Sequence, residues 1–136
     1  MIRFNDLKPG DLVLAEFDQK EWEGEVTELN REDKEVCVRT DVQDFWFVPD
    51  QLRGIPLDDR QLSRLGFDKQ SDGNGGPVKY LKGAFRIMLL GPDRFNEFEM
   101  WYREDRRHIT KPIYVHELQN HYRDMTKVEL SPNGGH

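Results

Sequence analysis

Through the first part of the chain, apolar side chains recur at every second position. Trp22, Gly24 and Val26 alternate with Glu21, Glu23 and Glu25, the period of a strand with one buried face. Upstream, Asp11-Leu-Val-Leu-Ala-Glu-Phe17 follows the turn signal Lys8-Pro-Gly10. Downstream, the polar turn Asn30–Lys34 leads into Val36-Cys-Val-Arg-Thr40, and Phe45-Trp-Phe-Val48 stops at Pro49-Asp50. Four short strands at roughly ten-residue spacing, with turns between, predict a small antiparallel barrel or curled sheet.

The pattern then changes. Asp58 and Gln61 stand where a capping box starts a helix, Leu57 and Leu62 flank it as a hydrophobic staple, and Gly66 suits a left-handed stop. Ser71-Asp-Gly-Asn-Gly-Gly-Pro77 is too rich in turn residues for regular structure and reads as a mobile loop. Period-two stretches return at Val78–Leu81, Phe85–Leu90 and Glu97–Arg103, with Glu104–Arg107 as a charged turn and a further short strand from His108. They predict a second antiparallel sheet. Val115, Leu118, Tyr122 and Met125 are spaced 3, 4 and 3, the inward face of a closing helix. The class is α+β: residues 1–56 a barrel part, 57–130 a sheet-plus-helix part forming one compact unit with it, and 131–136 a flexible tail. The sequence of turn, apolar strand, Trp-x-Gly-x-Val strand and Pro49-Asp-Gln-Leu52 resembles an SH3-like barrel of the Tudor or KOW kind, a likeness of fold that names no partner.

Charge divides the same way. Residues 1–56 hold 7 Lys and Arg against 14 Asp and Glu, and residues 57–136 hold 13 against 12, within an overall net charge of −6. The acidic part repels phosphate, and the second part can host a local basic site. The balance argues against a nucleic-acid coat. A single cysteine, Cys37, rules out an intramolecular disulfide framework. Nothing approaches a membrane-spanning apolar run or a signal peptide, so the expected location is cytoplasmic. A phosphate loop, G-x-S-x-G and H-E-x-x-H are all missing, and His116 and His121 are five apart and point to different helix faces. These features predict a non-enzymatic protein with no cofactor and no metal. A sheet edge could pair between copies, which leaves a homo-oligomer open.

Binding chemistry gathers in three places. If Phe98, Met100 and Tyr102 face the core, Trp101 stands outside with Arg86, Arg103, Arg106 and Arg107 nearby, able to stack a planar group and pair an anion. The competing reading is that the C-terminal helix covers Trp101. His116, Gln119, Asn120 and Arg123 form a second stripe on that helix, able to orient a polar ligand or to hold loop carbonyls. In the first part Trp22, Phe45 and Trp46 are the aromatic candidates for a cationic side chain. Trp22 reads as the inward member of its strand, and Trp46 with Glu21, Glu23 and Glu25 reads as a partner surface.

Leu7-Lys-Pro-Gly-Asp-Leu-Val13, Ile55-Pro-Leu57 with Leu65-Gly-Phe-Asp-Lys69, and Tyr114-Val-His-Glu-Leu-Gln-Asn120 with Thr126 and Glu129-Leu130 resemble one family. Its members are small uncharacterised proteins of Bacteroidota and their phages or prophages, carrying L-R-x-G-N-x-V, I-P-L-T…L-G-F and Y-V-H-Q-L-Q-N. Asp11, Asp58 and Glu117 depart from the usual Asn, Thr and Gln, and Asp58 keeps the capping role. The resemblance brings no catalytic residues and implies a small accessory protein linked to phages. Two functions are therefore expected in competition, a module binding a host or phage protein and a sponge for an anionic nucleotide immune signal, and a third, sequence-selective nucleic-acid binding, needs the C-terminal sheet to overcome the acidic barrel.

Overall fold

The computed structural model describes residues 2–132, so the part of the expected tail from 133 onward lies outside the described residues. The fold is α+β, with two antiparallel sheets and a C-terminal helix. The chain divides into two compact units, Met1–Ile55 with Tyr114–His116, and Pro56–Ile113 with Glu117–His136.

The first unit is a five-stranded sheet in the order β4-β3-β2-β1-β5. Its strands are β1 (Leu12–Phe17), β2 (Lys20–Asn30), β3 (Glu35–Arg39), β4 (Asp44–Phe47) and β5 (Leu52–Arg53), the last two separated by a 3-10 turn at Pro49–Gln51. The Lys8–Asp11 turn starts it. Gly10 takes φ +97°, and its N–H donates to Val26 O at 2.8 Å while Val26 N–H donates to Asp11 O at 2.8 Å. The buried Asp11 carboxylate accepts from Lys8 N–H at 3.0 Å, holding the turn closed. Register pairs Ala15 with Trp22, Val13 with Gly24, Val26 with Val38, and Val36 with Phe47, which collects these residues on one face. Val13, Ala15, Val26, Val36, Val38, Phe47 and Leu52 form the core there with Ile2, Phe4 and Leu7. Gly24 is required for room, since a Cβ would meet Val38 Cγ1 at 2.5 Å and Arg39 O at 2.7 Å. At the other end of the chain, Val115 N–H donates to Ile55 O at 2.8 Å.

The second unit is a five-stranded meander, β10-β9-β8-β7-β6. It runs β6 (Asp68–Ser71), β7 (Val78–Lys82), β8 (Phe85–Leu89), β9 (Phe98–Tyr102) and β10 (Asp105–Ile109), with helices α1 (Asp59–Arg64) and α2 (Val115–Thr126). Asp58 caps α1 by accepting Gln61 N–H at 2.9 Å, and Gly66 closes it at φ +90°. Both helices lie on one face of the sheet. Tyr80 Oη donates to Asp59 of α1 at 2.7 Å, and Tyr122 of α2 packs on Phe85 with ring centroids 4.8 Å apart. Leu118, Tyr122 and Met125 are buried, as the helical spacing predicts.

Two elements differ from expectation. β6 is a strand with no hydrophobic signal: all four of its residues are exposed, and it exists through its pairing with β7, Asp68 opposite Leu81 and Ser71 opposite Val78. The charged turn expected over 104–107 is instead the start of β10. Arg103 adopts φ +57°, which closes the hairpin in two residues and draws Asp105, Arg106 and Arg107 into the ladder.

Candidate functional site

Two places concentrate recognition chemistry, one in each unit. In the first, Phe17, Trp22, Thr40, Val42, Phe45 and Phe47 enclose a pocket of about 70 Å³. Phe17, Trp22, Phe45 and Phe47 come from the end of the core face, where Phe17 stacks on Phe45 at 4.8 Å and Phe45 meets Phe47 edge-on at 6.1 Å. Two turns set its mouth. Asp18 and Gln19, at φ +54° and +62°, make the tight β1–β2 hairpin beside Phe17. Thr40 organises the other by donating from Oγ1 to Gln43 O at 2.9 Å and accepting Val42 N–H at 3.2 Å. Phe17 and Val42 remain 46% and 63% exposed, so the apolar wall continues onto the surface. Trp22 Nε1 is buried without a hydrogen-bond partner, a donor that costs about 1–3 kcal/mol while unsatisfied. Ligand pockets for small molecules and cofactors run to roughly 300–1,000 Å³, so this one is scaled to a single side chain.

The expected partner set falls on the opposite face of the same sheet. Cys37 pairs with Trp46 and Glu25 with Arg39, which puts Trp46, Glu21, Glu23 and Glu25 on one side. Trp46 is 47% exposed, Arg53 pairs with Glu21, and Arg39 lies 3.8 Å from Asp44. Trp22 faces inward as its alternation predicts, and it lines the pocket rather than being sealed in the core. A wider groove of about 430 Å³ runs past Phe4, Lys34, Val48 and Pro49, with Lys34 Nζ 5.3 Å from the Phe4 ring.

In the second unit the helices cover the face carrying Phe98 and Met100, so Trp101 stands half-buried on the other face and not under α2. Register places Arg86 of β8 and Arg106 of β10 directly opposite it. Their guanidinium carbons lie 5.6 and 4.8 Å from the indole ring, and Trp101 Nε1–H donates to Glu99 at 3.1 Å. Two of the expected arginines do not join them. Arg107 pairs with Met100 on the helix-covered face, where it reaches His121 Nδ1 at 2.7 Å and Asp124 at 3.8 Å. Arg103 sits in the hairpin turn with its guanidinium 5.1 Å from the Tyr102 ring. Burial and the Arg107 charge push the His121 pKa down.

The helix stripe divides as well. Gln119 is buried and donates to Leu130 O at 2.8 Å, while Arg123 pairs with Glu129 at 3.1 Å, so both fasten the segment after the helix. His116 is buried and stacks beside Tyr114 at 6.0 Å, and Asn120 is half-buried. Among the described residues no three His, Cys, Asp or Glu side chains converge to hold a metal ion, and no helix is long and apolar enough to cross a membrane. Sequence reading missed Phe17, Phe47, Thr40 and Val42. The available signal was Phe17 immediately before a two-residue turn and Phe45/Phe47 in phase with Trp22. No protein-family model and no curated protein matches the chain.

Proposed function

We propose that the protein is a non-enzymatic binding module whose first unit grips one basic side chain of a protein partner in the aromatic pocket. The pocket itself carries the reading: four aromatic rings around a space of side-chain size, open at Phe17 and Val42. An aromatic wall attracts a cation through the ring quadrupole, and the acids in the flanking turns, Asp18 and Asp41, add to that attraction. The buried Trp22 Nε1–H supplies a donor for a carbonyl of the incoming segment. The order β4-β3-β2-β1-β5, with a 3-10 turn before β5, supports the SH3-like kinship expected from the sequence. The resemblance to small Bacteroidota and phage proteins makes a host or phage protein the partner class, in the cytoplasm.

The test is calorimetric titration of the full chain with short Lys- and Arg-bearing peptides and their Glu-substituted counterparts. Binding of the basic peptides alone is expected, weakened about tenfold or more by Phe45→Ala or Trp22→Ala. Charge reversal at Glu21, Glu23 and Glu25 is expected to do less, because those side chains lie on the other face. Binding lost to that reversal and kept by the pocket variants would move the site to the Trp46 face. No peptide binding, with a pull-down returning only background proteins, would remove the module.

A further inference from the structure

We infer that the open face of the second sheet binds a nucleoside phosphate, free or within a single strand, at the row Arg86–Trp101–Arg106. An observation independent of the aromatic pocket carries it: three adjacent strands align a guanidinium, an indole and a guanidinium side by side. Neither arginine has an ion-pair partner among the described residues. Stacking on the indole holds each planar fork in place and leaves its N–H groups available for an anion. Two positive charges held across roughly 10 Å, two strand spacings, repel one another, and a phosphate relieves that repulsion.

The flat ring decides the rest of the ligand. A phosphate alone needs only the arginines, whereas a nucleobase can also take one face of the indole. Base stacking on an aromatic side chain is the stronger contact than an exposed cation–π pair, so a base can displace one guanidinium. The displaced arginine then turns to the phosphate, forming a charge-assisted hydrogen bond where it had a weak ring contact. Glu99 holds the indole by its N–H and opposes the phosphate charge, and Lys79 extends the positive side of the same face. Among the described residues the first unit holds no such guanidinium–indole–guanidinium row.

The test uses the full chain at low salt with adenosine diphosphate, adenosine, inorganic pyrophosphate and a short oligodeoxyadenylate. Affinity is read by calorimetry and the Trp101 indole N–H signal by NMR. The diphosphate, the oligonucleotide or both are expected to shift that signal and to bind about tenfold tighter than adenosine or pyrophosphate. Which of them binds identifies the source of the nucleoside phosphate. Arg86→Gln with Arg106→Gln is expected to remove about tenfold or more of that affinity in a chain that still melts cooperatively. If the double variant fails to fold, Arg106→Gln alone and the wild-type indole titration decide. The proposal is overturned if no probe moves the indole signal, if pyrophosphate binds as tightly as the diphosphate, or if the arginine variants keep full affinity.

Discussion

Each of the two sheets has five antiparallel strands and a tryptophan flanked by partners from neighbouring strands, but the two rings are housed in opposite ways. In the first unit Trp22 lies on the core face, among other aromatic rings, with its N–H unmet. In the second unit Trp101 lies on the face away from the helices, with charged groups on both sides and its N–H bonded to Glu99. Apolar walls line a socket of side-chain size beside Trp22. Charged walls leave a ring already in contact on both sides, so the ligand we propose would exchange for one of those contacts. The same residue type thus stands in two kinds of surroundings, and the two recognition modes we propose differ because Trp22 and Trp101 occupy opposite kinds of face.

The largest effect that sharpens this contrast comes from one substitution made in both sheets. Phe85 is fully buried between Phe67 and Tyr122, and Phe85→Ala is expected to cost about 3–5 kcal/mol in urea unfolding. Phe45 is half-buried at the pocket, and its Ala variant should cost roughly half of that or less. Equal costs would mean that the pocket is closed core. Gly24→Ala should lose about 1–3 kcal/mol, because its Cβ collides with strand β3 beneath the pocket wall. In the second unit, Asp58→Ala should lose about 1 kcal/mol through the uncapped N-terminus of α1. Acidification should also act there. His121 resists in the folded state the proton that the unfolded chain takes up near its ordinary value of 6.5, so stability falls as pH drops through that range. Melting temperatures across pH should show a slope that His121→Gln flattens. Smallest of all, Arg106→Gln should change stability by about 0.5–1 kcal/mol, the worth of an exposed cation–π contact.

Much of this was legible from one sequence because it is periodic or capped. The alternation around Trp22 placed that ring inward, and Asp58 marked its helix, while the Phe98-Met100-Tyr102 phase set Trp101 apart from those residues but left open which of the two faces the C-terminal helix covers. Facts set by partners were not legible. Asp68-Lys-Gln-Ser71 carries no apolar residue and is a strand only because β7 lies beside it. Which of Arg106 and Arg107 joins Trp101 depended on the exact length of a hairpin that opens on a left-handed arginine, a conformation the sequence does not advertise. The pocket needed Phe17 and Val42, which are far apart in the chain, brought together by two turns.

That hairpin has a further consequence. It acts as a reading frame for the strand after it: one residue more or fewer would invert every side chain of β10. Adjacent arginines make the frame forgiving at one point, since either phase still delivers one guanidinium to the indole and one to the helix side. Ile109 enforces the choice. In the shifted frame it would leave the row of Val78, Leu89 and Phe98 for water, so the apolar end of the strand keeps the charged end in register.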